Sequence, residues 1–124
     1  MYEAYIGLGS NLPAPEAENE VRLAIEWLRS TYGPVRACEP YRTAGEGKKS
    51  AGKTYTNTVA VITTTLSIAE LDSQLKAYET SQGRRHDTPE VTIDADIVIF
   101  DNAIIRPVDF ERHYFAHGYR LLKS

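Results

Sequence analysis

Val91-Thr92-Ile93-Asp94-Ala95-Asp96-Ile97-Val98-Ile99-Phe100 reads as the strongest strand of the chain. Ile93, Ala95, Ile97 and Ile99 alternate at a period of two and predict one apolar face. The same alternation puts Asp94 and Asp96 together on the opposite face, with Cα atoms roughly 6–7 Å apart. Asp101-Asn102 follows as a turn, and Ile104-Ile105 as the start of a short return strand. Beyond Val108 the tail is aromatic and basic, and its pattern predicts no more than an uncertain helical turn.

Upstream of this strand, Ser67-Ile68-Ala69-Glu70 has the form of a capping box, with Leu66 and Leu71 placed as a hydrophobic staple. Ile68, Leu71, Leu75, Tyr78 and Gln82 then continue one helical face, which Gly83 ends. Residues 55–64 predict a strand, with Asn57, Val59 and Val61 facing one way and Thr58, Ala60 and Ile62 the other. Residues 35–43 predict another, near an edge because Pro40 cannot donate to a ladder. Ala17, Val21, Ala24, Ile25 and Leu28 form the stripe of a first helix, stopped by Tyr32-Gly33-Pro34. Residues 2–8 alternate as the opening strand, with Ala4, Ile6 and Leu8 on one face. The order strand, helix, strand, strand, helix, strand is the split βαβ pattern of a ferredoxin-like α+β fold. It implies a mainly antiparallel sheet with two helices on one face, and leaves the other face for a site.

The 124 residues fit one domain spanning 1–124. Fourteen Lys and Arg against seventeen Asp and Glu give a net charge of -3, so overall charge lends nucleic-acid binding no support. No apolar run approaches a membrane span. Met1-Tyr2-Glu3-Ala4-Tyr5 lacks the basic start and long apolar core of a signal peptide, and Cys38 has no partner for a disulfide, so the cytoplasm is expected. A monomer or weak homo-oligomer acting on small molecules, with neither nucleic acid nor membrane as partner, is the expectation.

The pair Asp94 and Asp96 carries the most chemistry. Two carboxylates on one sheet face repel each other, and a divalent cation removes the conflict; two solvated aspartates on an open face are the alternative. Arg84-Arg85-His86 follows the second helix and could grip phosphate, or simply complement the helix dipole. Residues 44–54, with Gly45, Gly47, Gly52, Lys48, Lys49 and Lys53, read as a mobile loop able to close over an anion. Tyr55 and Asn57 share a strand face, and the Asn amide suits the edge of a heterocycle. His113 and His117, four apart, are expected to be surface histidines. Gly7-Leu8-Gly9-Ser10-Asn11 lacks the Gly-Lys-Ser/Thr ending of a phosphate-binding loop.

Taken in order, several stretches resemble the 6-hydroxymethyl-7,8-dihydropterin pyrophosphokinase family. They are Ala4-Tyr5-Ile6-Gly7-Leu8-Gly9-Ser10-Asn11-Leu12, Tyr41-Arg42-Thr43, Tyr55-Thr56-Asn57, Leu66-Ser67 with Glu70-Leu71, Glu79 through Gly83-Arg84, and Ile93-Asp94-Ala95-Asp96-Ile97. The resemblance implies a transferase of folate biosynthesis that moves pyrophosphate from ATP to the dihydropterin. It implies Asp94 and Asp96 as holders of two Mg²⁺ ions, with Arg84 counted beside them as catalytic. Thr43, Tyr55, Asn57 and Tyr119 would line the pterin pocket, Tyr119 as the stacking aromatic. Glu79, Arg84, Arg85, His86 and Ile97 would lie along the ATP site, and residues 44–54 would be a lid. The chain departs from the family where Val91 replaces an Arg and where His117 replaces another. Arg85, Arg106, Arg112 or Lys48 could compensate. Slow transfer is therefore expected, and a pterin- or nucleotide-binding relative without catalysis is the alternative.

Overall fold

A computed structural model describes residues 1–45, 53–85 and 87–123. The elements are β1 (Tyr2–Ser10), α1 (Glu16–Tyr32), β2 (Arg36–Ala37), β3 (Tyr41–Ala44), β4 (Thr54–Thr64), α2 (Ile68–Ser81), β5 (Asp94–Phe100), β6 (Ala103–Ile104), α3 (Pro107–Glu111) and α4 (His113–Lys123). Among the described residues they build one six-stranded sheet in the order β2-β4-β1-β5-β6, with β3 also on β4. Every pairing is antiparallel, as the split βαβ order requires.

The two predicted helices cover one face. Ala4, Ile6 and Leu8 of β1, Ala60 and Ile62 of β4, and Ala95 and Ile97 of β5 pack there with Val21, Ala24, Ile25 and Leu28 of α1 and Leu71, Leu75 and Tyr78 of α2. The α2 capping box is complete: the Glu70 N–H donates to Ser67 Oγ at 3.1 Å, and the Ser67 N–H to Glu70 Oε1 at 3.0 Å. Gly33 and Gly83, at φ +94° and +90°, stand just past the ends of α1 and α2, where a residue with a Cβ is strained. Ile68, predicted on the packed face, is exposed at the first turn of α2.

Three sequence expectations need correction. Residues 35–43 are two short strands, because the chain breaks at Cys38-Glu39-Pro40, where Pro40 has no N–H to give the ladder. The strand predicted over 91–100 begins at Asp94 and contains a bulge. Ile6 pairs with Ile97 but Tyr5 pairs with Ile99, so Val98 is an extra residue. Ile99 therefore leaves the face of Ala95 and Ile97 and joins Tyr5, Val59, Val61, Val98 and Phe115 on the other side. The tail is the third. It forms α3 and α4, and Phe115 of α4 is buried against the face expected to be open. Gly118 permits this approach: a Cβ there would lie 2.7 Å from both Tyr41 Oη and Val59 Cγ2. Tyr41 fastens the contact by donating to the Tyr114 carbonyl and accepting the Gly118 N–H.

Among the described residues no helix is long and apolar enough to cross a membrane.

Candidate active site

Where α4 leaves the sheet uncovered, a cavity of about 190 Å³ opens over the ends of β1, β4 and β5. Its floor is set by register. Gly9 pairs with Asn57 on one side and Asp94 on the other, and Gly7 pairs with Val59 and Asp96. A Cβ at Gly9 would sit 2.7 Å from Asn57 Oδ1, so glycine is what lets the amide lie across β1. Asn57 is buried and its Nδ2 donates to Thr43 Oγ1 at 2.6 Å. Thr43, Tyr55, Phe115, Tyr114, Arg106 and Asp109 contribute to the wall.

Asp94 and Asp96 enter this cavity side by side, close enough for their carboxyl groups to hydrogen-bond to each other. Burial, and then the neighbouring Asp96, push the Asp94 carboxyl up to about 7. Burial acts on Asp96 in the same direction, but the bond from Asp94 together with the Lys76 and Arg106 charges outweighs it and holds Asp96 below its ordinary value. Arg84 Nη1 donates to Asp94 Oδ1 and to the Ile93 carbonyl, both at 3.2 Å. Among the described residues its buried Nε has no partner. Arg106 reaches Asp96 at 3.8 Å and pairs closely with Asp109, which also accepts from Tyr114.

The donor set fits a hard divalent cation. Two carboxyl groups converge that are acceptor-only once the Asp94 proton leaves, and the described residues hold no cluster of three or more His, Cys, Asp or Glu that would form an all-protein cage. Such a pair leaves the remaining positions to water and phosphate oxygens, as Mg²⁺ prefers.

Residues 5–121 match the family model of 7,8-dihydro-6-hydroxymethylpterin-pyrophosphokinase. The chain belongs to this family. It is 37% identical over 109 residues to the 2-amino-4-hydroxy-6-hydroxymethyldihydropteridine pyrophosphokinase of Haemophilus influenzae, an alignment covering 86% of this chain and 67% of that one. It is 31% identical over 125 residues to the Pseudomonas putida protein of the same name, covering 93% and 97%. Members of the pyrophosphokinase family are ATP-dependent transferases of folate biosynthesis.

Within this pyrophosphokinase the sequence-predicted residues divide. Thr43, Tyr55, Asn57, Asp94 and Asp96 share the one cavity, with Arg84 against Asp94. Tyr119 is not on the wall. It lies over Tyr5, Phe110 and Phe115, and the aromatics of α4 that meet the cavity are Tyr114 and Phe115, the latter one helical turn earlier. Ile97 buries its side chain in the helix-covered core. Glu79 is buried behind β5, where its Oε2 accepts the Ala95 N–H at 2.8 Å. Arg85 faces solvent and pairs with Asp87. His86 and most of the expected lid, residues 46–52 with Lys48 and Lys49, lie outside the described residues. His113 and His117 do share a face of α4, and His117 packs edge-on to Tyr41.

Sequence reasoning missed Lys76, whose Nζ donates to Asp96 Oδ1, Glu79 Oε2 and the Ala95 carbonyl. Its one sequence signal was the three-residue spacing to Glu79, which puts both on one side of α2. It also missed the role of Ser10-Asn11. Asn11 Oδ1 accepts the Val91 N–H at 2.6 Å, and its Nδ2 donates to the Pro89 carbonyl at 2.9 Å. The Asn11 N–H and Ser10 Oγ both donate to the Val91 carbonyl. This pair clamps the segment that leads into Asp94.

Proposed function

We propose that this chain transfers the pyrophosphoryl group of ATP to the hydroxymethyl oxygen of 6-hydroxymethyl-7,8-dihydropterin through the cavity of Asn57, Asp94 and Asp96. The hydroxymethyl oxygen attacks the β-phosphorus, the bond from that phosphorus to the α–β bridging oxygen breaks, AMP leaves, and the hydroxyl proton is lost. Transfer of this kind depends on positioning and charge neutralisation more than on covalent catalysis.

The observation that carries the reading is the row Asn57–Gly9–Asp94, which sets a heterocycle-binding amide beside paired carboxylates with a bare backbone between them. Asn57, held by Thr43, offers donor and acceptor to the pterin edge, and Tyr55 and Phe115 flank it. Asp94 and Asp96 hold Mg²⁺, two ions in the full complex, and Mg²⁺ there supplies charge neutralisation on the phosphates. Arg106, on the cavity wall, faces the polyphosphate, and Arg84 braces Asp94 through Nη1. Arg106 supplies a guanidinium where Val91 supplies none. Ile97 can contact nucleotide through its backbone alone, and Glu79 orients β5 rather than touching ATP. One domain over 1–124 in the cytoplasm is the setting.

The test is AMP release from ATP and the dihydropterin, followed by chromatography with and without Mg²⁺. Mg²⁺-dependent AMP formation that falls about a hundredfold or more in Asp96→Asn is expected. Equal AMP formation by the variant, or none by the unaltered protein, overturns the reading.

A further inference from the structure

Among the described residues, β5 lies at a free edge of the sheet where Asp94 and Asp96 sit, because β6 pairs with it further on, at Ile99 and Phe100. An open edge leaves N–H and C=O groups unpaired. Here charged side chains from α2 and its end take them. Arg84 donates to the Ile93 carbonyl at 3.2 Å, Glu79 accepts the Ala95 N–H at 2.8 Å, and Lys76 donates to the Ala95 carbonyl at 2.8 Å. Lys76 has two further bonds of 3.0 Å, to Glu79 Oε2 and Asp96 Oδ1. All three ammonium hydrogens are thereby used. Lys76 reaches Asp96 round the strand edge and is no part of the cavity wall.

We propose that Lys76 is a positioning residue that acts as a fixed counter-cation for Asp96, so that a divalent ion is held firmly only when nucleotide arrives with it. The proposal rests on the assignment of Asp94 and Asp96 as ion holders. Three cations, Lys76, Arg84 and Arg106, link four carboxylates in one ion-pair chain, Glu79 behind β5 and Asp94, Asp96 and Asp109 on the cavity side. Ionised throughout, the group carries one surplus negative charge, and a proton shared between Asp94 and Asp96 removes it. A lone divalent ion overshoots that surplus, and a nucleotide polyphosphate supplies the missing negative charge. Arg106 is half exposed, 3.8 Å from Asp96 and turned toward Asp109, so it is free to move to a phosphate. Lys76 is not, because the Ala95 carbonyl and Glu79 hold it where it stands.

The sign of the effect separates this role from a merely structural one. A lysine that only shaped the strand would weaken ion binding when removed. A counter-cation that competes with the ion strengthens it. The experiment is Mn²⁺ titration by electron paramagnetic resonance, with and without a non-hydrolysable ATP analogue. It uses the unaltered chain, Lys76→Gln, Lys76→Met and Lys76→Arg, each checked for its fold by circular dichroism. Gln keeps a donor for the Ala95 carbonyl, Met keeps the apolar stem, and Arg keeps the charge.

Without nucleotide, Lys76→Gln and Lys76→Met should bind Mn²⁺ about tenfold tighter than the unaltered chain, the scale of one charge-assisted contact. Lys76→Arg should stay near the original affinity. The gain in Mn²⁺ affinity on adding nucleotide should shrink in the two neutral variants, since coupling between two ligands is reciprocal. Unchanged or weaker Mn²⁺ binding in the neutral variants overturns the proposal for Lys76. Absence of Mn²⁺ binding by the unaltered chain even with nucleotide overturns the ion site itself, and Lys76 with it.

Discussion

Asn57 and Asp94 stand in one row across the sheet, joined through Gly9, which pairs with both. Adjacent strands are about 4.8 Å apart, so the amide and the carboxylate start from backbones about 10 Å apart with no side chain between them. That spacing lets a flat heterocycle held at Asn57 present a substituent toward Asp94 and Asp96.

Gly9→Ala tests the row. The new Cβ meets Asn57 Oδ1 at 2.7 Å, and the amide must turn and give up its bond to Thr43. Overpacking of this kind costs about 1–3 kcal/mol, and the pterin contact is lost with it. The Michaelis constant for the dihydropterin should rise at least tenfold while that for ATP stays near its original value. Steady-state kinetics with each substrate varied in turn reads this directly.

Phe115 and Tyr119 are neighbours on α4 with different expected fates. Phe115 borders the cavity beside Gly7, whereas Tyr119 packs on Tyr5 and Phe110 away from it. Phe115→Leu should weaken dihydropterin binding about two- to tenfold, the scale of one aromatic contact. Tyr119→Leu should lower the melting temperature and leave dihydropterin binding in place. Fluorescence titration beside thermal melts distinguishes them, and the reverse pattern would restore Tyr119 as the stacking residue.

The raised carboxyl of Asp94 gives the ion-free protein a pH signature. Its ordinary value is 3.8 and burial beside Asp96 moves it to about 7. Between these limits the folded protein keeps a proton that the unfolded chain has released. This contribution to stability is present below about pH 4 and is lost as pH rises through about 7. Asp94→Asn removes one of two like charges and should flatten that part of the profile, seen as melting temperature against pH in a chelator. Binding of Mg²⁺ with nucleotide should release protons between pH 6 and 7. Calorimetry in two buffers of different ionisation heat measures that release.

What the sequence determined by itself is periodic or local. The stripe of α1, the capping box of α2 and the two faces of β4 follow from side-chain spacing along one element. That order of elements admits few topologies. The pairing of Asp94 with Asp96 on one face needed no more than the two-residue period of a strand. Tertiary structure decided whatever depends on a contact between distant segments. The extra residue at Val98 appears when β5 is matched against Tyr5 and Ile6 of β1, and it alone moves Ile99 to the other face. Helix α4 has a weak local signal, and it is fixed by the close approach of Gly118 to Tyr41 and Val59. That packing puts Phe115 rather than Tyr119 at the cavity. Lys76 looks like any solvated helix lysine until the edge of β5 brings the Ala95 carbonyl and Asp96 within 3.0 Å of it. Asn11 and Val91 lie 80 residues apart in sequence, and their bond exists because β1 and β5 are adjacent strands. Patterns along a chain report which way a residue faces; which partner it meets depends on how separate elements are brought together in space.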